Sequence, residues 1–251
     1  MTRRRWIADR WTGSTATLEG EQAQHLSRVL RAQPGMEFDV VAGGHAWLGR
    51  ITAVTRDSVE FELLEELAAA ASLPVALLLS VFKFDRMEWA IEKAVELGCS
   101  RILPVLAERT EKHLTQAAGK RVERWRRIAL EAAKQSRRSD LPEIADPLRL
   151  PQALAERPST QRVLLSETEE DQSLLRILQA GSAAAGDFAL AIGPEGGWTP
   201  AEIAAFKDAG WQSASLGPRI LRVETAAIAA LSIVLAVADA GDPSPTSPTL
   251  P

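Results

Sequence analysis

Phe188-Ala189-Leu190-Ala191-Ile192-Gly193-Pro194-Glu195-Gly196-Gly197-Trp198-Thr199-Pro200 reads as a strand, a glycine-rich turn and the start of a helix. The unbroken apolar run 188–192 suits a strand covered on both faces, as in a parallel sheet. Thr199 and Pro200 read as N-cap and first helical residue, with Glu202 near the positive helix end. The glycines between strand and helix let main chain come close to a ligand and permit positive φ. The plainer alternative is a tight strand-to-helix turn that binds nothing.

About one helix later comes Leu216-Gly217-Pro218-Arg219-Ile220-Leu221-Arg222-Val223-Glu224-Thr225. It too leads into a helical pattern, so the two loops are expected to meet at one edge of a sheet, where open α/β folds bind ligands. Thr225 is placed to cap a helix starting at Ala226, and Glu224 either pairs with an arginine or contacts substrate. Neither a G-x-x-x-x-G-K-[ST] loop nor a G-x-G-x-x-G run is present, and Glu195 would repel a pyrophosphate. An acidic glycine loop suits a cofactor bearing hydroxyls or positive charge, a description that S-adenosylmethionine meets.

Outward from these loops, strand and helix patterns alternate. Strands are expected at 75–81, 102–106, 163–165 and 188–192. Helices are expected at 85–97, 120–135, 173–179 and 200–209. This alternation predicts an α/β domain with a mainly parallel sheet. Residues 1–70 differ: turn signals at Pro34-Gly35 and Gly43-Gly44 separate short apolar runs, and Val59-Glu60-Phe61-Glu62-Leu63 alternates strictly. A small β-barrel with one helix at 21–30 fits this segment, and 68–72 is the expected boundary with a second domain at 73–241. Residues 242–251, with four prolines, read as a disordered tail.

The 251 residues are ordinary for a globular protein, at 46% hydrophobic and 25% charged. The single cysteine, Cys99, forms no internal disulfide and is read as a buried structural thiol, consistent with a cytoplasmic protein. Its three histidines, His25, His45 and His113, are scattered, so no metal is expected. The apolar stretch 226–238 is short of the roughly 20 residues that span a membrane, and reads as a helix covered on all sides, in a core or subunit contact. Net charge is −4, yet Lys120, Arg121, Arg124, Arg126, Arg127, Lys134, Arg137 and Arg138 crowd one segment with only Glu123 and Glu131. Such a stripe is either a phosphate-binding surface or a solvated helix face. Trp125 within it is read as core.

These segments resemble the RsmE family of 16S ribosomal RNA uridine-N3 methyltransferases, of the SPOUT class. The resemblance runs from His25 to about Ala238, through His25-Leu26-Ser27-Arg28-Val29-Leu30-Arg31, Lys83-Phe84-Asp85-Arg86-Met87-Glu88, Glu108-Arg109-Thr110, Ala133-Lys134-Gln135-Ser136-Arg137-Arg138 and both loops. Val223 stands where the family commonly has threonine, and Arg137 where many members have glycine.

The resemblance implies a PUA-like RNA-binding barrel and a SPOUT domain with a deep trefoil knot that binds S-adenosylmethionine and forms a homodimer. The acceptor it implies is 16S rRNA or the small ribosomal subunit, with no metal and no membrane involved. Backbone at Ile192, Gly193, Pro194, Glu195, Gly196, Gly197, Leu216, Gly217, Ile220, Leu221 and Thr225 is expected to hold the cofactor. Arg222 is expected to stabilise charge on the uracil, Glu224 or Glu195 either to act as base or only to bind cofactor, and Arg28, Arg31, Arg109, Arg137 and Arg138 to meet RNA phosphates. The alternatives are a non-catalytic RNA-binding assembly protein and a related enzyme acting on transfer RNA.

Overall fold

The computed structural model describes residues 5–67, 73–136, 138, 140–156, 159–180 and 187–241. The expected boundary at 68–72, the tail at 242–251 and Arg137 lie outside the described residues. Two compact units result, one of Met1–Ala71 with Leu130–Leu141, the other of Ser72–Ala129 with Pro142–Pro251.

The first unit holds β1 (Arg5–Ile7), β2 (Arg10–Thr12), β3 (Thr15–Glu19), α1 (Gly20–Gln24), β4 (Glu37–Ala42), β5 (His45–Val54) and β6 (Ser58–Leu67). Its sheet runs β1-β4-β5-β6-β3-β2, with β1 parallel to β4 and the other pairs antiparallel. The two outer strands are joined by residues 8–9 alone. Ala8 N–H bonds to Val41 on one side and Asp9 N–H to Thr17 on the other, closing the sheet into a barrel. The alternation at 59–63 is realised: Val59, Phe61 and Leu63 are buried, Glu60 and Glu62 exposed. The expected helix at 21–30 is α1 followed by a wider-wound turn over His25–Val29. Ala23 and Leu26 turn from it into a core with Trp6, Leu18, Val40 and Ile51.

The second unit contains β7 (Leu73–Ser80), α2 (Phe84–Glu96), β8 (Cys99–Leu106), α3 (Lys112–Ala117) and most of α4 (Val122–Gln135). It continues with β9 (Glu143–Ile144), β10 (Leu148–Arg149), α5 (Leu150–Ala155), β11 (Gln161–Leu165), α6 (Leu174–Ala180), β12 (Phe188–Ile192), α7 (Pro200–Asp208), β13 (Gln212–Ala214) and α8 (Val223–Gly241). All its strand pairs are parallel, in the order β10-β8-β7-β12-β11-β13, with β9 also beside β8. β12 is buried at every position, as its apolar run requires, and lies between β7 and β11. Cys99 is buried, its Sγ near the Val75 carbonyl, in the structural role expected of it. Trp125 is fully buried against Phe84.

Three expectations change. The elements α3, β9, β10, α5 and β13, of two to six residues each, were too short to show a period. α8 begins at Val223 rather than Ala226, because the Arg222 carbonyl already accepts Ala226 N–H at 2.8 Å. Thr225 therefore sits exposed inside the first turn, with no capping hydrogen bond among the described residues. Finally, α8 is not covered all round within one chain. Ala227, Ala230, Leu231 and Val234 are buried, while Ile228, Ala229, Ser232 and Ile233 stay partly exposed. No described helix is long and apolar enough to cross a membrane.

Gly49 tests the barrel core. A Cβ there would lie 2.8 Å from Val40 Cγ2 and 3.2 Å from Phe61 Cδ1. Gly49→Ala is expected to destabilise the protein by about 1–3 kcal/mol through overpacking. Urea denaturation checks this, and wild-type stability would mean the core yields freely.

Candidate active site

A parallel sheet puts the carboxyl ends of its strands along one edge. Here the segments leaving β11, β12 and β13 enclose a cleft of about 290 Å³, near the lower end of small-molecule sites at roughly 300–1,000 Å³. Leu165, Ile192, Ile203, Ala214 and Leu221 provide apolar wall, and Glu167, Glu195, Arg219 and Arg222 the charged groups.

The glycine loop is shaped by close packing. Gly197 has φ +67°, and a Cβ on it would come within 3.0 Å of Glu167 Oε1. At Gly193 a Cβ would meet the Trp198 indole nitrogen at 3.2 Å, and at Gly196 the Arg109 side chain at 3.3 Å. The turn closes through Gly197 N–H to the Pro194 carbonyl at 2.8 Å. Beneath it Trp198 packs edge-on to Phe206, at 4.8 Å between ring centres, and Phe206 on Trp211 at 5.1 Å.

Two charged side chains brace this loop. Arg109 donates from Nη1 to the Gly196 carbonyl at 2.6 Å and to that of Trp198 at 3.3 Å. Glu202, almost fully buried, accepts from Thr199 N–H at 2.8 Å and from Glu108 N–H at 2.8 Å. The Thr199 hydroxyl in turn accepts from Glu202 N–H at 3.2 Å, completing a capping box with Pro200 in the first turn.

Most of the expected cofactor residues meet here. Ile192, Gly193, Pro194, Glu195, Gly197, Leu216, Gly217, Ile220 and Leu221 all line the cleft, as does Arg222. Gly196, Thr225 and Glu224 do not. Glu224 is largely buried, its carboxylate 3.8 Å from Arg86 Nη1, so of its two readings the arginine pair is the one formed. The third wall, Leu165, Ser166, Glu167 and Thr168, belongs to neither of the two loops expected at the site. Its signal was available, since 163–165 was an expected strand whose carboxyl end belongs on the same edge.

The arginines expected at phosphate divide. Arg28 and Arg31 are exposed on the barrel unit, Arg31 with a left-handed φ of +51°. Arg109 is committed to the glycine loop. Arg138 does not fit phosphate contact in this conformation: its side chain is 8% exposed and forked onto the Asp140 carboxylate. In the basic stripe, Arg124 grips Glu88 through two bonds of 2.6 and 2.7 Å, and Arg126 pairs with Glu123 and Asp146. Those carboxylates hold both guanidiniums above their ordinary pKa. Arg121 lies over the Phe84 ring at 4.7 Å. Much of the stripe is thus an internally paired helix face.

The cleft fits S-adenosylmethionine on chemical grounds. It combines apolar walls for a flat ring with glycine main chain and two carboxylates, Glu167 and Glu195, that have no partner among the described residues. A carboxylate left unpaired beside a binding cleft suits a cationic ligand better than a polyphosphate.

The sequence comparisons define the class. A family model described as an RNA methyltransferase domain matches residues 69–235, and one described as an RNA methyltransferase PUA domain matches 18–64. The ribosomal RNA small subunit methyltransferase E of Synechocystis is 36% identical over 89% of this chain and 74% of its own length. The Bacillus subtilis protein of the same name is 30% identical over 88% and 89%. A crystal structure of ribosomal RNA small subunit methyltransferase E from Neisseria gonorrhoeae, bound to S-adenosyl methionine, superposes with a TM-score of 0.78 at 30% identity, covering 94% of this chain and 98% of that one. The chain belongs to the RsmE family of SPOUT-class RNA methyltransferases.

Glu202→Gln keeps the shape of the brace but points an amide NH2 at one of two backbone donors. It is expected to cost about 1–3 kcal/mol, the penalty of a buried unpaired donor, read by chemical denaturation. An unchanged midpoint would show that the loop holds without this carboxylate.

Proposed function

We propose that this chain methylates N3 of a uridine in 16S ribosomal RNA of the small subunit, with S-adenosylmethionine as methyl donor. The observation that carries this is the three-walled cleft, two of whose walls are the expected loops, in a chain of the RsmE family. The family relatives are named for small-subunit ribosomal RNA, and the Neisseria structure holds S-adenosyl methionine.

The donor, when bound, supplies a methyl group already activated on a sulfonium, so no metal is needed. The protein's tasks are to hold it, align the uracil and manage one proton. Main chain of the glycine loop and of 216–221 would hold adenosine and methionine. Neutral N3 carries a proton and is a weak nucleophile, so transfer needs that proton removed and the negative charge on the uracil oxygens stabilised. That Arg222 lines the cleft supports it for the second task. For the first, Glu195 at the cleft is better placed than Glu224, which is paired with Arg86. Glu224 then serves as a positioning residue at the start of α8.

Arg28 and Arg31 are our choices for phosphate contact from the barrel. Both are exposed and neither has a partner among the described residues. Homodimerisation is supported by α8, whose second apolar face stays partly uncovered in the single chain. The family resemblance further implies a deep trefoil knot in the second unit.

The direct test is mass spectrometry of 16S rRNA. N3-methyluridine should vanish from cells lacking this protein and return with the wild-type chain but not with Arg222→Ala. In vitro, Arg222→Ala should lower methyl transfer by about a hundredfold or more, with donor affinity little changed. Equal losses would remove Arg222 from the charge-stabilising role, and unaltered rRNA would remove the function itself.

Replacing Arg28 and Arg31 by alanine together should weaken RNA binding. It should also flatten its logarithmic salt dependence by roughly 1.5. A slope equal to that of the wild type would place phosphate contact elsewhere.

A further inference from the structure

Glu167 is the cleft carboxylate that neither glycine-rich loop supplies. It follows β11 in a turn held by Ser166 N–H to the Ala214 carbonyl at 3.0 Å and Glu169 N–H to the Ser166 carbonyl at 3.3 Å. From there its side chain reaches the glycine loop. Oε1 lies 3.0 Å, and the carboxyl carbon 3.6 Å, from the point a Cβ on Gly197 would occupy. Arg109 Nη1, 4.0 Å from the same point, is bonded to two loop carbonyls, and Glu167 has no hydrogen bond or ion pair among the described residues. A turn-anchored negative charge therefore faces the cleft beside main chain assigned to the donor.

We propose that Glu167 is the residue by which the cleft tells the sulfonium donor from its spent, uncharged product, an inference that rests on the function proposed above. During transfer the methyl carbon–sulfur bond breaks with its electron pair kept by sulfur. The new bond forms from the N3 lone pair after the N3 proton has left to a base or solvent. Donor and product thus differ by one methyl and one positive charge. They share adenosine and amino-acid parts, so contacts to those parts bind both alike. A carboxylate near sulfur favours only the charged form. Arg219 and Arg222, on the opposite loop, act with the wrong sign for this and suit the acceptor. Glu167 thus offers negative charge to the donor, while the Arg219 and Arg222 side chains offer positive charge to the uracil. Loss of the sulfonium charge then weakens the hold on product at the moment release is required.

Calorimetric titration of the full chain with S-adenosylmethionine and with S-adenosylhomocysteine tests this, for wild type, Glu167→Gln, Glu167→Asp and Glu195→Gln. Glu167→Gln should lose about tenfold in affinity for the donor, as expected for one partly screened charge a few ångströms away. Its affinity for the product should stay within about twofold. Glu167→Asp, which keeps the charge, should retain most of the preference. Equal losses for both ligands, no loss for either, or a preference abolished by Glu195→Gln and kept in Glu167→Gln would each overturn the assignment. A wild-type chain that binds neither ligand would instead overturn the proposed function, and this inference with it.

Discussion

The glycine loop after β12 has to approach a ligand with bare main chain, so beyond Trp198 it has little side chain of its own to pack. Its shape depends on a buried carboxylate from the helix it precedes. Glu202 receives two backbone N–H groups, one from its own helix cap and one from Glu108 after β8. A carboxylate so nearly buried would be costly without such donors. With them, and with the positive end of α7 beside it, the charge links two loops that are distant in sequence. Arg109, one residue beyond Glu108, closes the arrangement by binding the carbonyls of Gly196 and Trp198. Besides the internal bond from Gly197 N–H to Pro194, the carbonyls of Gly196 and Trp198 and the Thr199 N–H are thus met by groups outside the loop.

The parallel sheet determines which segments share the site. β11, β12 and β13 are neighbours, so the residues after each emerge on one edge and form three walls. Chain order does not reveal that adjacency. β12 enters between β7 and β11, joining the earliest strand of the unit to a later one. Every position of β12 is buried as a result, which accounts for the unbroken apolar run Phe188–Ile192. The pattern that marks the strand and the topology that places the ligand loop share one cause.

Long or strongly patterned elements were legible in the sequence. The strict alternation at 59–63, the continuous strands β7 and β12, and the Thr199-Pro200 start of α7 each express one dominant local rule. What was hidden depended on partners far along the chain. β13 is three residues, Gln212–Ala214, with no apolar period, and is a strand only because β11 offers its edge. Glu167 carries no motif and becomes a cleft residue through the adjacency of β11 and β12. Thr225 looked like a cap because the apolar run starts after it. Helical hydrogen bonding, indifferent to side-chain polarity, begins a turn earlier through the Arg222 carbonyl. Arg138 looked available for phosphate, but the nearby Asp140 already holds its guanidinium.

That last case bears on how an acidic protein can serve an RNA substrate. Counting arginines overstates the positive charge on offer, because Arg124, Arg126 and Arg138 are paired with carboxylates within the fold, while Arg109 spends its donors on loop carbonyls and keeps its charge. Arg28, Arg31, Arg219 and Arg222 have no such partner among the described residues. Two of these stand on the barrel unit and two at the cleft. Paired guanidiniums add little long-range field because their counter-charge travels with them, whereas unpaired ones keep theirs. A net charge of −4 is therefore compatible with phosphate contact at a few chosen points. The negative balance elsewhere opposes indiscriminate binding to nucleic acid. Specificity for one RNA site then rests on where the unpaired arginines stand, rather than on how many the chain contains.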